Sequence, residues 1–131
     1  MAGFTIKNLR EDVEDQAPKF GFSPDMESRF ARRALGAENG GLTYFRLAPG
    51  FRVPFGHVHS GQEEIYVLVD GSGRIKLDDE VVELREWDAV RIPAGVWRNV
   101  EAGPDGLVFL AYGAPLFDPS DADMTPGWWS D

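Results

Sequence analysis

The sequence predicts an all-β fold, a sandwich or barrel of short strands, and three observations lead there. Turn-forming residues are abundant, with 15 glycines and 9 prolines in 131 residues, which suits short strands broken by frequent turns. Between residues 40 and 112, short runs of aliphatic, β-branched and aromatic residues alternate with Gly, Pro and Asp clusters. The gaps between those runs leave no room for helical crossovers, which excludes a βαβ architecture.

The first 36 residues are charged and mixed. Ser23-Pro24-Asp25 can cap a helix over residues 26–35, with Gly36 as its stop. The same residues alternate well enough for a strand, which is the preferred reading, and the helix stays open. A strand over 42–47 ends at Pro49-Gly50, and a second follows over 57–59. The next, 64–69, stops at Asp70-Gly71. Strands 74–77 and 81–84 flank Asp78-Asp79-Glu80, which reads as a hairpin turn. Strand 88–92 ends at Pro93-Ala94-Gly95, strand 96–100 leads into Gly103-Pro104-Asp105-Gly106, and 107–112 closes the series. The remainder is rich in Pro and Asp and ends in Gly127-Trp128-Trp129-Ser130-Asp131. The two tryptophans either cover an apolar edge of their own barrel or dock on a partner subunit.

Composition bounds the function. With 43% hydrophobic and 27% charged residues the chain reads as one globular domain over residues 1–131. A formal charge of −9 and a pI near 4.6 argue against nucleic acid and against anionic membrane surfaces as partners. Cysteine is absent, so disulfides and thiolate chemistry are excluded. The start MAGFTIKNLRED has no apolar signal region and no run approaches a membrane span. The expectation is a soluble, cytoplasmic protein.

The only two histidines, His57 and His59, are two residues apart. In a strand that spacing turns both imidazoles to one face. Glu64 follows after a short turn and shares its face with Tyr66 and Leu68, so its carboxylate is expected to look inward and that of Glu63 outward. Two histidines and a carboxylate form the facial set of non-haem iron oxygenases, which leaves positions open for substrate. Tyr66 is a candidate ligand-binding residue, because a buried hydroxyl beside Glu64 needs a polar partner. Phe45, Phe55, Trp87, Trp97 and Phe109 can supply apolar walls, although each is more often core.

The stretch from Gly50 to Gly71 resembles the first cupin motif, in which glycine, H-x-H, glutamate and glycine follow at set spacings. Here Gly50 is followed after six residues by His57, His59 after four by Glu64, and Glu64 after six by Gly71. The family usually has five residues after the first glycine, so one is extra. The second motif is similar to the stretch from Glu86 to Val100. Pro93-Ala94-Gly95 stands where the family has P-x-G, and the metal-binding histidine that follows after two further residues is Arg98 here. The family's glycine five residues ahead of the proline is Trp87, and its asparagine falls on Ala102. The resemblance implies a double-stranded β-helix, a jelly-roll barrel, with a core over about residues 26–113 and a tail over 114–131 packed on barrel or partner. It also implies a divalent metal (iron, manganese, nickel or zinc) on His57, His59 and Glu64, and a homodimer.

Arg98 cannot ligate, because its guanidinium stays protonated and has no free lone pair. In one account it pairs with Glu64 in place of a metal. A fixed charge about 4 Å from a cation costs about 4 kcal/mol at an effective dielectric near 20, a roughly thousandfold loss of affinity that can leave the site without metal. In a second, the three remaining ligands keep a metal and Arg98 grips a substrate carboxylate. In a third, Arg98 faces solvent and the barrel is a non-catalytic module. Parity places Val96, Arg98 and Val100 on one face and favours the inward orientation. The leading expectation is a barrel that binds a small, acidic organic molecule at an interior His/Glu/Arg site with a weak metal site. A metal-dependent dioxygenase or isomerase and a sensing or structural module are the alternatives, since one fold hosts many functions.

Overall fold

The computed structural model describes residues 3–116 and 118–131; Met1, Ala2 and Phe117 lie outside the described residues. Among the described residues, eight strands form one antiparallel sheet that curls into a jelly-roll barrel. They are β1 Met26–Phe30, β2 Gly41–Leu47, β3 Phe55–His59, β4 Glu63–Leu77, β5 Glu80–Leu84, β6 Ala89–Ile92, β7 Arg98–Ala114 and β8 Ala122–Pro126. β7 is the hub, pairing with β2, β3 and β4, while β4 also takes β5 and β6 and β3 also takes β8. The core inside the curl is built on Leu47, Leu68, Ile75, Ile92, Val100 and Phe109. No helix among the described residues is long and apolar enough to cross a membrane.

Two expected turns are bends within continuous strands. β4 runs 15 residues straight through Asp70-Gly71, and β7 runs 17 through Gly103-Pro104-Asp105-Gly106. The β4 ladder shifts register between Leu68 and Asp70 and again between Gly71 and Gly73. Slipping a strand by one residue exchanges its faces, so Tyr66 and Leu68 point inward before the bulge and Ile75 after it. β7 changes parity in the same place, with Val100 and Ala102 inward on one side and Leu107, Phe109 and Ala111 on the other. The two backbones nearly touch there. A Cβ on Gly71, whose φ is 84°, would stand 2.1 Å from the carbonyl oxygen of Gly106. Turn-forming residues lie opposite one another, and the pair bends as a barrel corner instead of reversing the chain.

Elsewhere local chemistry decides. Leu77 pairs with Glu80, so Asp78-Asp79 is a two-residue hairpin turn. Both readings of residues 26–35 have a share in the outcome. Residues 26–30 are β1, and one helical turn, α1 Arg32–Leu35, then ends at Gly36 with φ 67°.

The tail contains an unexpected strand. β8 pairs with β3 from Phe55↔Pro126 to His59↔Ala122. Trp129 is 5% exposed and lies beneath the Arg52 guanidinium, 4.2 Å from its centre. Trp128 stacks on Trp97 at 5.8 Å and sits over Gly56, where a Cβ would meet its ring at 2.5 Å.

Trp87 stands apart from the candidate apolar walls, 73% exposed on a loop and at φ 72°. Its backbone N–H donates to the Leu68 carbonyl at 2.7 Å, which holds the loop down while the indole stays outside. The left-handed conformation strains a residue with a Cβ. Trp87→Gly is therefore expected to stabilise the fold by about 0.5–1 kcal/mol, the relief exceeding the extra chain entropy glycine loses. A higher urea midpoint is the readout; a lower one would show that the indole contributes packing.

Candidate functional site

β3 presents His57 and His59 on one face, with ring centroids 5.1 Å apart and planes at 86°. It is fixed by β8 along one edge and joins β7 through a single pair, His57↔Arg98. Glu64 enters on β4, opposite Ile92 of β6 and Gly113 of β7. These registers bring four sequence-predicted residues to one carboxylate oxygen. Glu64 Oε1 lies 3.5 Å from His57 Nε2 and 3.4 Å from His59 Nε2. It also accepts a hydrogen bond from the Tyr66 hydroxyl at 3.2 Å and an ion-paired one from Arg98 Nη1. Arg98 is 1% exposed, and its Nη2 and Nε donate to the Val96 carbonyl at 2.9 and 3.3 Å. Glu63 lies outside, paired with Arg91 at 3.1 Å.

The donor set suits a divalent ion. The ligand atoms of His57, His59 and Glu64 all lie within 4.8 Å of one another. Bonds of about 2.1 Å in a tetrahedral site put ligand atoms about 3.4 Å apart, close to the separations of Glu64 Oε1 from the two imidazoles. Arg98 opposes this fit, because its charge rests on the same oxygen that a cation would take.

Electrostatics follow from burial and neighbours. Burial raises the Glu64 pKa, but the adjoining His57 and His59 imidazoles and the charge of Arg98 outweigh it and hold the carboxyl far below its usual range. Burial pushes His57 below 6.5, with Glu64 pulling the other way. Burial also disfavours the charged form of His59, yet Glu64 and Asp121 prevail and its pKa lies above 6.5. Burial and then the Glu64 carboxylate raise Tyr66 well above 10.

Behind the cluster the barrel is filled. Phe45 stacks on Phe109 at 4.9 Å and Phe109 meets Tyr66 at 5.1 Å. Beyond Tyr66 an apolar cavity of about 10 Å³ remains between Leu68, Val100 and Phe109, room for about one water. Within the cluster the side chains of His57, His59 and Glu64 reach solvent, 23%, 15% and 13% exposed, while Arg98 is buried. A larger surface depression of about 530 Å³, bounded by Arg85, Trp87 and Gly71, shares no residue with the cluster.

One member was not found in the sequence. Asp121 Oδ2 lies 3.0 Å from His59 Nδ1, and Oδ1 accepts from Ser60 Oγ at 2.8 Å and from the Gly61 N–H at 2.7 Å. It stands 62 residues from His59 in a tail where aspartates are common, so no local pattern marks it. Asp118 capping the turn Pro119–Asp121 is the only nearby signal, and it speaks of structure alone.

A family model described as "Cupin domain" matches residues 43–111. None of the curated proteins compared with the chain matches it. Among solved structures, a cupin protein from Bacteroides fragilis is 24% identical with a TM-score of 0.72, over 90% of this chain and 89% of that one. Oxalate decarboxylase from Bacillus subtilis is 22% identical at a TM-score of 0.72, over 91% of this chain, which spans only 32% of that protein. A predicted oxalate decarboxylase from Thermotoga maritima is 26% identical at a TM-score of 0.61, over 70% of this chain and 81% of that one.

Proposed function

The chain belongs to the cupin family, and from that premise we propose that it binds a small organic acid at the His57, His59, Glu64, Tyr66 and Arg98 cluster, where Arg98 weakens a divalent-metal site. The carrying observation is the pairing of Arg98 Nη1 with Glu64 Oε1, the oxygen that both imidazoles face. Arg98 and His59 supply positive charge that an organic carboxylate can meet through charge-assisted hydrogen bonds. The description of the Thermotoga maritima neighbour names a small carboxylate, which is in keeping with this ligand class. A pair of chains belongs to the same reading by family resemblance, and light scattering at micromolar concentration tests it.

A second reading is a metal-dependent dioxygenase or isomerase of a small organic acid, favoured by the three converging donors. When bound by His57, His59 and Glu64, iron, manganese, nickel or zinc supplies a Lewis acid with open positions. Protein purified without a histidine tag separates the two. Substoichiometric metal by elemental analysis, with a rise in melting temperature on adding oxalate that Arg98→Met abolishes, is the expected result. Near-stoichiometric metal that disappears in His57→Ala would favour the enzyme. Metal-free protein indifferent to added iron, manganese and carboxylates would leave a non-catalytic module.

A further inference from the structure

We propose that Asp121 is a positioning residue for this site, fixing His59 in the tautomer with hydrogen on Nδ1 and the Nε2 lone pair free, and thereby tying metal affinity to the tail. The effect on metal rests on the reading above; the effect on the imidazole does not.

An ionised carboxylate only accepts, so the hydrogen in the 3.0 Å contact between Asp121 Oδ2 and His59 Nδ1 belongs to the imidazole. A neutral imidazole has one hydrogen to give, and Asp121 is the better acceptor, because Glu64 Oε1 lies farther from Nε2, at 3.4 Å, and already accepts from Tyr66 and Arg98; Nε2 then keeps its lone pair. Carboxylates in this relation to a metal-binding imidazole fix its orientation and raise its basicity.

The position of Asp121 is built by the tail. Its side chain is 7% exposed. Asp118 Oδ1 accepts from the Ser120 N–H at 2.9 Å and closes the turn Pro119–Asp121. β8 begins at Ala122, the partner of His59 itself. The Asp121 carbonyl accepts from the Ser60 N–H at 2.8 Å, and its carboxylate takes Ser60 Oγ and the N–H of Gly61. Trp129 under Arg52 and Trp128 on Trp97 hold the far end of the segment. One residue of the tail therefore holds the turn that leads from the histidines to Glu64 and the ring that opens it.

Histidine 15N NMR of the metal-free full chain at alkaline pH, where imidazole is neutral, tests the tautomer directly. The wild type should show His59 with hydrogen on Nδ1; hydrogen on Nε2 would overturn the proposal without any variant. In Asp121→Asn the amide oxygen stays with the Ser60 and Gly61 donors and the NH₂ group meets Nδ1, so His59 should move to the Nε2–H form. Zn²⁺ affinity by competition titration should fall about 10–100-fold. Ser60→Ala, which removes a different partner of the same carboxylate, should leave tautomer and affinity unchanged. An equal loss of affinity in Ser60→Ala, or a wild-type tautomer in Asp121→Asn, would reduce Asp121 to a purely structural role. Failure of the wild type to bind Zn²⁺ would sink the metal reading and leave the tautomer result to decide Asp121.

Discussion

Arg98→His should bind Zn²⁺ or Mn²⁺ more than about a thousandfold more tightly than the wild type. Two effects act in the same direction. The substitution removes a positive charge that rests on Glu64 Oε1, and a unit charge about 4 Å from a cation costs about 4 kcal/mol at an effective dielectric near 20. It also returns a neutral nitrogen donor to the position paired with His57 across the β3–β7 ladder. Arg98→Met separates the two, since it removes the charge without adding a donor, and should recover part of the gain. Competition against a chelator of known affinity measures all three proteins. Equal affinity in wild type and Arg98→His would mean that the guanidinium does not govern the site.

Glu64→Ala should destabilise the metal-free fold by about 3–5 kcal/mol, the usual consequence of removing one partner of a buried ion pair. Arg98 is 1% exposed and its only carboxylate partner among the described residues is Glu64, so the variant leaves a cation in the barrel with nothing to neutralise it. Glu64→Ala combined with Arg98→Met should regain most of the loss, because an apolar pair costs no charge burial. Urea unfolding of the four proteins forms the double-mutant cycle, and simple additivity would show that the two side chains act independently. The pH dependence has a definite sign. The folded-state pKa of Glu64 lies below its ordinary 4.5, so its contribution is fully present above that value and fades as pH falls towards the folded-state pKa. The gap between wild type and Glu64→Ala should therefore narrow below about pH 4.5, read in the same melts.

How much of this was legible in the sequence differs between elements for physical reasons. The period of two in β3 and β4 put His57, His59, Glu64 and Tyr66 on shared faces, and the structure gathers them at one oxygen. The approximate bounds of β2, β3, β5 and β6 followed from turn residues, whereas the strand number did not, since β4 and β7 each join two expected strands and β8 was not expected. Asp70-Gly71 and the stretch from Gly103 to Gly106 misled, because a turn signal does not say whether a chain reverses or bulges, and only the facing strand decides. Trp87 was a candidate wall on residue type alone, and its 73% exposure places it outside. Asp121 and β8 were invisible, since a contact 62 residues distant leaves no periodicity to read.

The ion pair at the heart of the barrel sets terms for any guest. Glu64 and Arg98 satisfy each other, so an incoming cation has to draw the carboxylate away and an incoming anion has to draw the guanidinium away. Each visitor thus releases the group the other requires. If a cation and an organic acid bind here as proposed, they would be mutual effectors across a single side-chain contact, each raising the affinity for the other by the same factor.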